Sequence, residues 1–283
     1  MWLLLSLCAI PRESEPRLRF AYGGTADFRG ANNTVFNVLT APKISLNMKT
    51  MDVTTLMPRP SLVNGSFFTE AYITLQDPEL YIAMRADEPG FRVCDSKNRV
   101  INYFHVREWS VLQSPSVYVL SKVQSVVVRA HGWEMNITKT KIDFPIKHQL
   151  QHRLMLKLAT IDDPELQKEF GRATIDQVAP HGLLGQSFDS NELAINGPAT
   201  NYDSVYVVVK EQADGCIEGT YKDYIVLEPF QVEYLFSRFN KSCCIRARNI
   251  TNWNVARVPT KRPILAEISD QLGKEDYHRL VQY

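Results

Sequence analysis

Long apolar runs, an excess of either charge and closely spaced cysteines are all scarce in this sequence, and each scarcity removes a class of function. After the first ten residues no apolar stretch approaches the roughly 20 residues of a membrane-spanning helix, so no membrane span is expected. Lys and Arg number 32 against 31 Asp and Glu, a formal net charge of +1. No general field therefore draws the chain toward nucleic acid or an anionic membrane. The densest basic spot, Thr260-Lys261-Arg262-Pro263, is too short to change that. The five cysteines include no Cys-x-x-Cys, which removes the usual zinc and thioredoxin signatures. Gly23-Gly24 lacks the lysine and spacing of a phosphate loop. His105, His131, His148, His152 and His278 form no His-Glu-x-x-His or other compact ligand set and read as surface residues.

What remains is an ordinary globular composition, 45% hydrophobic and 22% charged over 283 residues. That is enough for one large β domain or two small ones with a sizeable core. Residues 1–10, Met1-Trp2-Leu3-Leu4-Leu5-Ser6-Leu7-Cys8-Ala9-Ile10, form an apolar block followed by an abruptly polar Pro-Arg-Glu-Ser-Glu-Pro. The block fits the hydrophobic region of a signal peptide, with small residues for cleavage, although a basic flank is missing. A secreted, extracellular protein is the expectation. Removal of Cys8 with the leader leaves Cys94, Cys216, Cys243 and Cys244. Adjacent cysteines rarely bridge each other, so Cys243 and Cys244 are expected to pair with Cys94 and Cys216 in an order the sequence does not assign. The alternative is four buried free thiols in a cytosolic β protein. Asn-x-Ser/Thr sequons at Asn32, Asn64, Asn136, Asn240 and Asn249 are candidate glycosylation sites. Asn64-Gly65-Ser66 reads as a turn before a strand, and Asn136 as the polar face of an alternating strand.

From Arg17 onward the apolar period is two. Lys43 to Lys49 alternates without error, Phe67 to Leu75 is β-branched and aromatic, Val117 to Arg129 is valine-rich, and Arg153 to Ile161 alternates again. Such strands at short spacing, separated by Pro, Gly, Asn and Asp, predict an all-β, antiparallel β-sandwich or barrel-like fold. Trp133 and Trp109 sit in strand patterns and are expected in the core. Helix signals are few and short: Asp163 to Gly171, with Asp as N-cap and Pro at the first helical position, and Ala266 to Gly273. The simplest division is a module over 18–195, a β-rich extension over 196–260 that adds to the same sheets or folds alone, and a tail over 261–283.

The most distinctive stretch is Pro180-His181-Gly182-Leu183-Leu184-Gly185-Gln186-Ser187-Phe188-Asp189. Two glycines bracket two leucines, so the leucines can enter a core while the backbone turns tightly. The six residues His181, Gly182, Leu183, Leu184, Gly185 and Gln186 resemble the C-terminal domain of inter-alpha-trypsin inhibitor heavy chains and the matching segment of root-cap proteins. Tyr22 to Gly30 with Thr34 to Val38 resembles the opening of a von Willebrand factor type D module, and Asn64 to Tyr72 is similar to strands of root-cap and late-embryogenesis-type proteins. Type D domains proper carry cysteines where His181 and Leu184 stand. The resemblance covers about residues 18–195 and implies an extracellular β module that this segment closes. It also implies a calcium loop after the motif, where Asp189, Asn191 and Glu192 supply oxygen ligands. Gly185-Gln186-Ser187-Phe188-Asp189 is not a nucleophile elbow, and no α/β alternation would hold one, so Ser187 is not expected to be a nucleophile. No catalytic residue is assigned. The expected role is structural or interactive, toward matrix or cell-wall components, with a secreted enzyme or carbohydrate-binding module as the alternative.

Overall fold

The computed structural model describes residues 17–56, 62–76, 79–104, 110–114, 117–122, 124–142, 150–162 and 180–188 and, with short breaks, 194–232. The expected helices over 163–171 and 266–273 lie outside these residues, as do Asp189, Asn191, Glu192, Asn240, Cys243, Cys244 and Asn249.

The described chain is all-β. A short ribbon pairs β1 (Arg17–Arg19) with β2 (Thr25–Asp27). A meander then runs through β3 (Thr34–Ala41), β4 (Ile44–Leu56), β5 (Leu62–Gln76), β6 (Glu79–Arg85), β7 (Phe91–Cys94) and β8 (Val100–Phe104), each antiparallel to the last. A second antiparallel meander holds β9 (Ser110–Ser114), β10 (Val117–Lys122), β11 (Ser125–Ala130), β12 (Trp133–Lys141) and β13 (His152–Thr160). Two strands of the extension, β14 (Tyr206–Val208) and β15 (Ile225–Val226), join the first sheet. β14 lies parallel to β5 and β15 antiparallel to β3. Neither sheet closes on itself among the described residues, so of the two expected architectures this is the sandwich.

One apolar cluster fills the space between the sheets. The first sheet contributes Phe36, Leu46, Met48, Ile73 and Ile82, and the second Val126, Val128, Trp133, Met135 and Ile137. Period-two alternation produces this directly, because every second side chain of a strand faces the same layer. Trp133 is fully buried, as the strand pattern predicts. Each such side chain is worth roughly 1.5–3 kcal/mol on leaving water.

Two local expectations are corrected. Asn64-Gly65-Ser66 is not a turn. It lies within β5, with Thr54, Val53 and Asp52 of β4 opposite. Strand pairing on both sides, by β4 and β14, overrides the turn chemistry of Asn-Gly. His131 is not a surface residue. It is 8% exposed and forms, with Gly132, the two-residue turn between β11 and β12, both at positive φ (+49° and +80°). Cys94 and Cys216 are buried as thiols in two different apolar clusters, and burial pushes both up from their ordinary values; their expected partners, Cys243 and Cys244, lie outside the described residues.

Candidate functional site

Strand β3 has β4 along one side, and its other side would be an open sheet edge. Two later segments cover that edge end to end. β15 pairs with Val35 and Phe36. The segment from His181 to Leu184 takes the next stretch. His181 and Thr40 exchange both backbone hydrogen bonds, at 2.7 and 2.8 Å, and the amides of Leu183 and Leu184 donate to the carbonyls of Asn37 and Val38 at 3.0 and 2.9 Å. Covering an edge in this way prevents it from templating another strand.

The docking surface is a β-bulge. Opposite β4 the register steps from Asn37 to Leu39, so Val38 has no counterpart and its carbonyl is left for the motif. Gly182 is what permits the approach. Its φ is +102°, and a Cβ there would stand 2.6 Å from the Val38 carbonyl and 2.7 Å from the Leu39 nitrogen. Leu183 and Leu184 enter the main core, and Phe188 meets Trp133 edge-on at 4.9 Å.

The polar side chains of the motif turn inward. Gln186 Nε2 donates to the Tyr224 hydroxyl at 3.0 Å and to the carbonyls of Gly182 and Leu183 at 3.0 and 3.3 Å. Its Oε1 accepts the Glu218 amide at 2.6 Å, and the Tyr224 hydroxyl donates to the Glu218 carbonyl at 2.6 Å. Gln186, Glu218 and Tyr224 thus form a closed ring of hydrogen bonds joining the motif to the extension. The His181 ring lies on Tyr224, centroids 5.4 Å apart. Ser187 Oγ accepts the Ala21 amide at 3.0 Å and gives its proton to the Leu184 carbonyl at 2.7 Å, which ties the motif to the start of the module.

A second constellation lies on the other face of the first sheet. Asn37 and Asn47 stand opposite each other on β3 and β4, both buried, with Asn37 Nδ2 donating to Asn47 Oδ1 at 2.9 Å. Asn47 Nδ2 then holds the carbonyls of Pro229 and Gln231, each at 2.8 Å. The strap Leu227–Gln231 is thereby laid across the sheet, and Phe230 enters a small cluster with Tyr72, Ala83 and Cys94. Tyr72 and Tyr81 both meet Phe230 edge-on, at 5.4 and 5.3 Å.

Beyond the strap the face becomes charged. Lys49 pairs with Glu70 at 3.1 Å, Arg85 lies 3.7 Å from Glu70, and Arg92 grips Glu88. These groups are partly exposed, and such pairs contribute little to stability. Burial and the adjacent Glu70 carboxylate push the Tyr72 phenol well above the usual tyrosine range, so it stays protonated and donates to Glu70.

Of the residues singled out in the sequence, the six of the motif come together as one latch. Asn32, Asn64 and Asn136 fall at separate strands and turns. Asn37, Asn47, Glu218, Tyr224 and Phe230 were missed. The available signal was the run of short uncharged polar residues, Ser45, Asn47 and Thr74, on strand faces that elsewhere carry charge. Among the described residues no group of three His, Cys, Asp or Glu is placed to hold a metal ion. No protein-family model matches the chain, and no curated protein matches it.

Proposed function

We propose that this chain is a secreted, non-enzymatic β-sandwich glycoprotein of von Willebrand type D-like character, serving as a structural or interaction module outside the cell. The observation that carries this reading is the use the fold makes of its most distinctive segment. Among the described residues the side-chain hydrogen bonds of Gln186 and Ser187 all go to the motif itself, to the start of the module or to the extension, and the Ser187 proton is held by a carbonyl rather than offered to a base. A segment used in this way serves to close a scaffold. Met1 to Ile10 acts as the leader, and matrix or cell-wall polymers are the partner class in keeping with an extracellular module.

A cytosolic β protein is the second reading, in which the buried Cys94 and Cys216 remain thiols. Expression of the full chain in a eukaryotic host, with its own leader, separates the two. The first reading expects the chain in the medium, starting beyond Ile10, with its cysteines protected from alkylation until reduced. Retention in the cell with every thiol open to alkylation after unfolding would establish the second instead.

A further inference from the structure

The sequence presents five equal sequons, and the fold makes the three described ones unequal. Asn32 is exposed, in the turn that leads into β3. Its Oδ1 accepts the Asp52 amide at 3.0 Å, and the Thr34 hydroxyl donates to its backbone carbonyl at 3.1 Å. The side chain is thus steered through its oxygen, and Nδ2, the atom that would carry a sugar, is outside that bond. Asn64 is half-buried within β5, held between Thr54 of β4 and Val208 of β14. Its Oδ1 receives Arg29 Nη2 at 3.5 Å, and the sequon partner Ser66 is fully buried, accepting the Gly30 amide at 3.1 Å. Asn136 is half-buried in the second sheet, between Val127 and Lys157.

We infer that Asn32 is the position among these three that carries an N-linked glycan in the folded protein. The same Arg29 guanidinium that reaches Asn64 is paired with Asp52 at 3.2 Å, and Asp52 in turn holds Asn32. Asn32 and Asn64 therefore flank one polar patch, and a sugar on Asn32 covers it and crowds Asn64. The chemistry needs a pyrophosphate-activated oligosaccharide donor of the secretory pathway. Asn32 Nδ2 attacks the anomeric carbon, the new C–N bond replaces the C–O bond to phosphate, the lipid pyrophosphate leaves, and Nδ2 loses one proton. The sugar is carried on Nδ2, so in the folded protein the amide oxygen can still accept the Asp52 amide and the turn is compatible with the modification.

This inference rests on the secreted reading, and its test keeps the two apart. The full chain is expressed in a eukaryotic host behind its own leader and, separately, behind a foreign secretory leader. Glycans are then removed enzymatically and the Asn-to-Asp conversion is mapped by peptide mass spectrometry. Conversion at Asn32, lost in Thr34→Ala and kept in Asn64→Gln, is the expected result. Thr34→Ala removes the sequon without touching the Asn32 side chain. Conversion at Asn32 behind the foreign leader alone upholds the site and removes the secreted reading. An unmodified Asn32 in folded, secreted protein, or a glycan on Asn64 in its place, overturns the inference.

Discussion

Gly182→Ala is expected to destabilise the protein by about 3–5 kcal/mol, which combines the strain of a non-glycine residue at positive φ with overpacking against rigid neighbours. The neighbours decide the size of the effect. The added carbon would meet the Val38 carbonyl and the Leu39 nitrogen, both main chain in a paired strand, so no flexible side chain can move aside. Relief requires the motif to lift away from β3, which breaks the bonds of Leu183 and Leu184 to Asn37 and Val38 and withdraws two leucines from the core. For a domain of this size the midpoint of thermal unfolding should fall by roughly 6–20 °C. Gly185→Ala is the matched control. Its φ is not in the left-handed region, and its added carbon would press on the movable Leu39 Cδ1 at 2.9 Å, so the loss should be clearly smaller.

The second large effect is expected at Asn47. Asn47→Ala removes both bonds to the strap and leaves the buried Asn37 amide without its Asn47 partner, a cost of about 3 kcal/mol. Asn47→Asp should cost more, because it sets a carboxylate against two carbonyl oxygens inside a buried site. Loss of the strap withdraws Phe230 from Cys94, a residue only 2% exposed. On the reduced chain, peptide-level alkylation should therefore show Cys94 reacting faster in Asn47→Ala, with Cys216 unchanged. Equal protection of Cys94 in both proteins would mean that the strap is held by something other than Asn47.

These two sites differ in how far the sequence revealed them. The turn-and-core role of the motif was legible, because glycines bracketing leucines have few other uses. Its partners were not, since Asn37 to Thr40 and Tyr224 are distant in sequence and nothing local marks a bulge. The Asn47 site was not legible for a physical reason. Strict alternation from Lys43 to Lys49 places Ser45 and Asn47 on the polar side of β4, and alternation alone does not say whether that side meets solvent or a later segment; both are 1% exposed. The charged residues Lys49 and Glu70 mark where the cover ends. Composition within one strand face thus distinguished covered from open surface, but only the later segment explains why. His131-Gly132 escaped notice as a turn because histidine is an uncommon first residue for positive φ, whereas Asn64-Gly65 carried the stronger turn signal and lost to pairing on both sides.

A latch joining the motif to the extension makes Gln186 and Tyr224 energetically dependent on each other, since the ring through Glu218 fails if either is removed. The direct measurement is denaturant unfolding of the unaltered protein, Gln186→Ala, Tyr224→Phe and the double variant. A coupling of about 1–2 kcal/mol is the predicted result. Costs that add to within about 0.5 kcal/mol would contradict the latch, and with it the reading of this segment as the element that closes the module.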